Sequence, residues 1–128
     1  MLEFNDREPI YLQIIADFKR KLINGTYSPG QPIASRRELA KQLGVNPNTV
    51  QRAYSEMEDE GFIHTARGQG SVLTTDAAVL HSVKREMIGG IVAGFITEMQ
   101  ALGIGKTELL QLVLEQLDAQ GQGQSGGE

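Results

Sequence analysis

The chain has 128 residues, a length that suits one compact domain or a small domain with a short attached element. Hydrophobic residues make up 40% and charged residues 22%, which is the composition of a globular protein. It contains no cysteine, which excludes disulfides, thiolate catalysis and thiolate zinc sites. The longest apolar stretch, residues 87–96, is far shorter than the roughly 20 residues of a membrane-spanning helix, and charged side chains occupy the start, where a signal peptide has an apolar core. We therefore expect a cytoplasmic protein without membrane contact.

The net charge of −4 is unevenly distributed along the chain. Residues 1–74 carry nine basic and nine acidic side chains, whereas residues 75–128 carry three and seven. Within residues 31–54, three arginines and one lysine stand against a single glutamate, a local charge of +3. The total charge argues against a polyanion partner, but this segment favours one if it forms a single face of the protein.

Helical spacing of apolar residues predicts a first helix over residues 9–24, with Pro9 at its first position and Gly25 just past its end. Residues 26–32 are rich in proline, glycine and serine, which predicts a turn-rich connector.

Two helix starts follow the connector. Ser35 and Glu38 have the spacing of a capping box, in which a serine hydroxyl and a glutamate carboxylate each bond a free backbone amide. Asn46 followed by Pro47 is a second start, an N-cap and then a proline whose missing N–H is not needed there. The helix that starts at Pro47 is predicted to cover residues 47–60.

These two helices are predicted to form a helix-turn-helix, because the small Ala40 suits their crossing and Gly44 suits the tight turn between them. Two ordinary packed helices are the alternative. Strand patterns at residues 62–65 and 71–74 flank a glycine-bearing turn at residues 66–70, which predicts a β-hairpin.

The second helix of this motif has one apolar and one polar face. Its inward residues are predicted to be Val50, Ala53, Tyr54 and Met57. Four polar side chains then face outward, and all can bond base edges or phosphates in a DNA major groove: Asn48, Gln51, Arg52 and Ser55. A solvated polar face is the alternative.

Basic residues near this helix provide candidate phosphate contacts. Arg36 and Arg37 start the preceding helix, and we expect one of the two to be only solvated. Arg67 beside Gly68 forms a basic hairpin tip suited to a minor groove or a phosphate, with a plain glycine turn as the alternative.

Several segments together resemble the GntR family of bacterial transcription regulators. They are PIYLQI at residues 9–14, GTYSPG at 25–30, SRREL at 35–39, LGVNPNTVQRAY at 43–54, GFI at 61–63 and RGQGS at 67–71. The resemblance covers about residues 8–74 and implies a winged helix-turn-helix that binds double-stranded operator DNA as a homodimer. The family's usual DNA contacts carry over to Ser35, Arg37, Asn46, Asn48, Thr49, Gln51, Arg67 and Gly68.

Two departures from the family pattern have consequences. Ile33 and Ala34 stand where the family usually has Leu-Pro, which predicts a looser loop. Pro47 stands where several members have an arginine, so a base contact is lost there. Too few residues follow Thr74 for a large effector domain, and the chain resembles the short YtrA-type branch, whose helical pair dimerises and whose members often repress operons encoding ABC transporters.

The C-terminal part is predicted to form helices over residues 77–102 and 107–120, followed by a disordered tail at 121–128. Its apolar residues make a surface too broad for a lone helix to expose. We expect these side chains to form a dimer interface: Ile88, Ile91, Val92, Phe95, Met99, Leu102, Leu110, Val113, Leu114 and Leu117. Gly90 and Gly94 would allow close helix approach. A hairpin folded on the domain's own core is the alternative.

The sequence therefore predicts a mainly α protein with a small β-hairpin, namely a winged helix-turn-helix over residues 1–75 and a dimerising helical pair over 76–120. We expect a homodimeric repressor of a palindromic operator, or alternatively an interaction module that acts through its C-terminal helices. A small-molecule effector could act only by favouring one dimer geometry.

No enzymatic, cofactor or metal site is expected. The segment at residues 105–107 lacks the first glycine and the preceding strand of a phosphate-binding loop. The acidic residues at the end of the predicted helix over residues 47–60 are expected to be solvated: Glu56, Glu58, Asp59 and Glu60.

Overall fold

The computed structural model describes residues 2–65, 68 and 70–121. The chain divides into two compact units, Met1–Met87 and Ile88–Glu128. Its elements in chain order are α1 (Ile10–Ile23), α2 (Arg36–Leu43), α3 (Pro47–Glu60), β1 (Ile63–Thr65), β2 (Ser71–Leu73), α4 (Ala77–Ala101) and α5 (Lys106–Gly121). The predicted fold class, mainly helical with one small hairpin, is confirmed. Among the described residues, no helix has both the length and the apolar character needed to cross a bilayer.

The core of the first unit lies between α1, α3 and the hairpin. α1 contributes Ile14 and Phe18, and the Phe18 ring meets the Tyr54 ring edge-on with centroids 5.9 Å apart. An ion pair of 2.9 Å between Lys19 Nζ and Glu60 Oε1 connects α1 to the end of α3. Pro9 is the N-cap of α1 and not its first helical residue, because its ψ of 142° is extended.

The turn between α2 and α3 has the predicted geometry. Gly44 ends α2 with a φ of 67°, a left-handed conformation that glycine adopts without steric cost. Val45 N–H then donates to the Ala40 carbonyl at 3.1 Å, which closes the turn. Leu39 and Ala40 are buried where α2 packs against α3, so the small Ala40 lies at the helix crossing, as predicted.

The hairpin, which we call the wing, pairs β1 with β2 antiparallel, with Ile63 opposite Leu73 and Thr65 opposite Ser71. The connector after α1 is more regular than the sequence predicts, because residues 30–33 lie along β2. Gly30 N–H donates to the Leu73 carbonyl at 2.9 Å, and Ile33 N–H donates to the Ser71 carbonyl at 3.0 Å.

The segment of Ile33 and Ala34, for which the sequence predicts a looser loop, is held by two hydrogen bonds. Ile33 is held by its backbone bond to β2, and the Ala34 carbonyl accepts a hydrogen bond of 2.6 Å from the Tyr54 hydroxyl. Tyr54 is fully buried, so this bond anchors the segment just before α2 to the core.

The second unit contains residues 88–101 of α4 and all of α5. The turn between the two helices includes Gly103 with a φ of 80°, and Ile104 N–H donates to the Met99 carbonyl at 3.0 Å. None of residues 88–121 is buried within the chain. Gly121 is the last residue of α5, and the rest of the predicted tail lies outside the described residues.

Candidate DNA-binding surface

α3 has two chemically different faces, as the sequence predicts. Its four inward residues are each 0% exposed: Val50, Ala53, Tyr54 and Met57. The opposite face carries Asn48, Gln51 and Arg52, which are exposed, and Thr49 and Ser55, which are half-buried. The core therefore fixes which side of α3 is available to a partner.

The start of α3 is capped by its own side chains. Asn46 Oδ1 accepts a hydrogen bond of 2.8 Å from the backbone N–H of Asn48. Pro47 has no N–H to satisfy at the first helical position. Because the side-chain oxygen Oδ1 of Asn46 accepts this capping bond, the side-chain NH₂ group of Asn46 is the part that can donate to an external acceptor.

The start of α2 is a complete capping box. Ser35 Oγ accepts from Glu38 N–H at 3.1 Å, and Glu38 Oε1 accepts from Ser35 N–H at 3.0 Å. Hydrogen bonds from Ser35 lower the pKa of the Glu38 carboxyl below its usual value, and the bond from the Ser35 backbone N–H has the larger effect. Ser35 remains exposed, so its hydroxyl hydrogen can still be donated to a phosphate.

The two adjacent arginines of α2 have different environments. Arg36 Nη2 forms an ion pair of 2.8 Å with Glu58 Oε1, and its guanidinium carbon lies 5.2 Å from the centroid of the Tyr54 ring. Arg36 is half-buried, whereas Arg37 is exposed. Arg36 thus connects α2 to α3, and Arg37 is the arginine of the pair that faces solvent.

The acidic residues at the end of α3 are not all merely solvated, which corrects the sequence prediction. Glu58 pairs with Arg36, and Glu60 pairs with Lys19. Both ion pairs connect α3 to neighbouring helices.

Within residues 2–65, 68 and 70–121, no group of three or more potential ligands is arranged to hold a metal ion.

Arg52 contacts an aromatic ring that the sequence analysis did not include in the site. Its guanidinium carbon lies 3.9 Å from the centroid of the Tyr11 ring on α1, and its Nε lies 3.8 Å from Glu56 Oε1. Gln51 Nε2 donates to Ser55 Oγ at 3.1 Å along the same face. These contacts place Arg52 over the start of α1, with most of its side chain in solvent.

The tip of the wing is described only in part. Gly68 is exposed with a φ of 74°, and Gly70 has a φ of 69°, so both adopt left-handed conformations that favour glycine. At the base of the tip, Thr65 Oγ1 and Ser71 Oγ lie 2.8 Å apart. The predicted contact residue Arg67 lies outside the described residues.

The predicted dimer residues lie in the second unit and carry large exposed apolar area. Eight of the ten are exposed, and Met99 and Val113 are half-buried. Between α4 and α5 lies an apolar groove of about 420 Å³, lined among others by Phe95, Met99, Leu109 and Leu117. A Cβ atom added at Gly90 or Gly94 would meet no described atom within 4 Å, apart from the adjacent residues and the backbone of its own helix.

Comparison with known proteins identifies the family of the first unit. The family model of bacterial regulatory proteins of the gntR family matches residues 10–73, which include α1, the helix-turn-helix and the wing. The chain is 39% identical to the HTH-type transcriptional regulator YhcF of Bacillus subtilis (strain 168), over 85% of this chain and 90% of that protein. The chain belongs to the GntR family.

Two further relatives extend this GntR-family similarity over the second unit. The HTH-type transcriptional repressor YtrA of Bacillus subtilis (strain 168) is 36% identical over 90% of this chain and 91% of its own length. The solved structure of a GntR family transcriptional regulator from Listeria monocytogenes superimposes with a TM-score of 0.81 at 39% identity, covering 88% of this chain and 98% of that one.

The predicted resemblance to the GntR family and to its YtrA-type members is therefore confirmed. The protein is a DNA-binding transcription regulator with a winged helix-turn-helix, and its relatives are regulators and not enzymes.

Proposed function

We propose that this GntR-family protein is a homodimeric repressor that binds a palindromic operator. The observation that carries this proposal is the division of α3 into a fully buried apolar face and an exposed face that presents Asn48, Gln51 and Arg52. A helix of this kind, anchored by α1 and α2, can enter the major groove with its N-terminal residues first. The two faces leave the polar side chains free of any structural role in the core.

The side chains of this surface divide into base contacts and phosphate contacts. Asn48 and Gln51 can each pair with an adenine edge, and Arg52 can pair with guanine. Ser35 and Arg37 at the start of α2 are suited to phosphate, because their donors lie at a helix N-terminus. We assign Asn46, Thr49, Ser55, Arg67 and Gly68 supporting contacts around these five residues.

We assign Arg36 a structural role in place of a DNA contact. Its guanidinium is paired with Glu58 and lies over the Tyr54 ring, so moving it to a phosphate would break both contacts. Glu58 would then be left without its partner. Arg37, which is exposed on the same turn, can reach a phosphate without this loss.

Dimerisation is proposed to occur through the second unit. Ten large apolar side chains between Ile88 and Leu117 are exposed in the single chain, an unusual amount for a segment of this length. A second copy of the chain can cover them with the same surface, since two-fold interfaces are self-complementary. Two-fold symmetry would present two copies of α3 to DNA, which predicts an inverted repeat. We propose residues 1–75 as the DNA-binding domain and residues 76–120 as the dimerisation element, with the exposed apolar side chains of that element between Ile88 and Leu117.

Repression is proposed from the similarity to the transcriptional repressor YtrA. Control of a transporter operon is proposed from what the resemblance to the YtrA-type branch implies. A deletion of the gene that encodes this protein should then raise transcription of its own operon and of neighbouring transporter genes. Transcript levels measured with and without the gene test this point directly. Lower transcript levels in the deletion strain would indicate an activator.

The binding proposal is tested by footprinting the protein on the DNA upstream of its own gene, with a salt titration of the affinity. We expect protection of an inverted repeat whose half-sites lie about one helical turn, or a multiple of it, apart. Arg37→Ala should weaken binding and lower the salt slope by about 1 per lost phosphate contact. Arg20→Ala removes the same charge from an exposed position at the end of α1 and serves as the matched control.

An interaction module that acts through α4 and α5 is the second candidate, favoured by the exposed apolar side chains of the second unit. The two candidates differ in what the variants do. Loss of DNA binding in Arg37→Ala and Arg52→Ala, with dimerisation intact in sedimentation, supports the regulator. Weak, sequence-independent protection by the wild-type protein at low salt supports the module.

A further inference from the structure

The contact between Tyr11 and Arg52 joins two elements that are far apart in sequence. The guanidinium carbon of Arg52 lies 3.9 Å from the Tyr11 ring centroid, which is the distance of a stacked pair. Arg52 Nε lies 3.8 Å from Glu56 Oε1, which is too long for a hydrogen bond. The ring on α1 therefore lies within the range of a cation–π contact with Arg52, whereas the carboxylate on its own helix lies beyond hydrogen-bond distance.

The surroundings of the pair face solvent on the side of the proposed DNA contacts. A surface cleft of about 530 Å³ is lined by Pro9, Ile10, Tyr11, Asn48, Thr49 and Arg52, so it combines the start of α1 with the start of α3. The Arg52 side chain is 62% exposed. A guanidinium that stacks on a ring has one face covered and keeps its N–H edge available, which is the edge that bonds a base or a phosphate.

We propose that Tyr11 is a positioning residue for operator binding, whose ring holds the Arg52 guanidinium at the start of α3 in the orientation that meets DNA. This inference rests on the proposed function, because it requires that Arg52 contacts the operator.

The physical reason is pre-organisation. Arginine has a long side chain with many rotamers, and ordering it at an interface lowers affinity. The planar ring of Tyr11 restricts these rotamers before DNA arrives, so less freedom is lost on binding. It also competes with Glu56, which attracts the same guanidinium towards the middle of α3.

The experiment is a double-mutant cycle on the duplex protected in the footprint, with Tyr11→Leu, Arg52→Ala and the double variant. We expect Arg52→Ala to weaken binding about ten-fold or more, as for a lost bidentate contact. Tyr11→Leu should weaken it about two- to five-fold, the range of a cation–π contact at an exposed site. In the Arg52→Ala background, Tyr11→Leu should have no further effect on affinity.

Two controls separate positioning from a general structural effect. Tyr11→Phe keeps the ring face and should recover most of the affinity that Tyr11→Leu loses. Tyr27→Leu removes a ring of similar burial that lies near Lys21 and Phe18, so it should lower thermal stability without changing operator affinity. Nitrogen-15 NMR of the Arg52 Nε–H provides a readout without DNA, because its ring-current shift should disappear in Tyr11→Leu.

The outcomes distinguish this inference from the proposed function. If the wild-type protein protects an operator and Arg52→Ala binds it equally well, the repressor stands and the positioning role is overturned. Equal losses from Tyr11→Leu with and without Arg52 would also overturn it, since the effect would not pass through the guanidinium. Absence of any protected site would overturn both.

Discussion

The hydroxyl of Tyr54 should contribute measurably to stability, because its hydrogen bond connects the buried face of α3 to the segment before α2. Tyr54→Phe removes the hydroxyl and leaves the ring. The side chain is 0% exposed, and its hydroxyl donates to the Ala34 carbonyl at 2.6 Å. The variant therefore leaves a carbonyl without its protein donor, next to the Ser35 cap that starts α2.

The expected loss is about 1–2 kcal/mol of unfolding free energy. Losing the partner of a buried polar group costs about 1–3 kcal/mol, and Ala34 is only half-buried, so water can partly replace the hydroxyl and the lower part of that range applies. For a chain of this size the loss corresponds to a decrease in Tm of about 4–8 °C. Tyr54→Leu should cost more, about 2–4 kcal/mol, because it also removes the ring between Phe18 and Arg36.

The assay is urea unfolding followed by circular dichroism at one fixed protein concentration, since the stability of a dimer depends on concentration. Tyr11→Phe removes a hydroxyl from a half-buried ring and should change stability by less than about 0.5 kcal/mol. Equal unfolding midpoints for the wild type and Tyr54→Phe would refute the reasoning. So would equal losses in Tyr54→Phe and Tyr54→Leu, because the ring would then contribute nothing.

The same residue predicts a pH effect. Burial raises the pKa of the Tyr54 hydroxyl above its ordinary value of 10.0, although the nearby Arg36 charge opposes this. The pKa of Tyr54 is higher in the folded than in the unfolded chain. The contribution of this residue to folding stability is therefore complete below about pH 10 and is lost as the pH rises above it. Urea unfolding should be measured from about pH 9 to about pH 11, which brackets the ordinary tyrosine pKa. The wild type should lose stability more steeply over this range than Tyr54→Phe.

Three further predictions follow from contacts described above. Glu58→Ala leaves the half-buried Arg36 unpaired and should destabilise the protein by about 1–2 kcal/mol in urea unfolding, less than a fully buried pair; no change would show that water screens the pair. Ser35→Ala removes one bond of the capping box and should cost about 1 kcal/mol, with Ser35→Gly costing less; equal losses would contradict a capping role. Phe95→Asp places a charge in the proposed dimer surface and should weaken dimerisation about 100-fold in sedimentation, whereas Gln100→Asp on the same helix should not; an unchanged dimer would place the interface elsewhere.

Features that depend on neighbouring residues could be predicted from the sequence. The capping box at Ser35, the N-cap at Asn46 and the left-handed turn at Gly44 all occur where the residue types place them. Each is decided within one helical turn by a hydroxyl, an amide oxygen or a missing Cβ. The buried and exposed faces of α3 were predictable for a similar reason, because its apolar residues recur at helical spacing.

Contacts between distant residues could not be predicted in this way. The pairing of residues 30–33 with β2 was missed because two prolines and a glycine in the connector indicate turns, while its partner strand lies some forty residues later. The pairs Arg36–Glu58 and Tyr11–Arg52 likewise join separate helices. A spacing rule cannot report which charged or aromatic side chains meet once helices pack. Tyr11, the aromatic residue of the PIYLQI segment, offered no signal in the sequence for its pairing with Arg52.

The two faces of α3 also bear on how a family of regulators can diversify. Asn48 and Gln51 are exposed, and neither side chain takes part in the buried core. A substitution at either position changes the chemistry offered to a partner while the packing of Val50, Ala53 and Met57 stays the same. Mutations that alter recognition therefore need little compensation elsewhere in the chain, so the same scaffold can acquire new target sequences one residue at a time while remaining folded at every step.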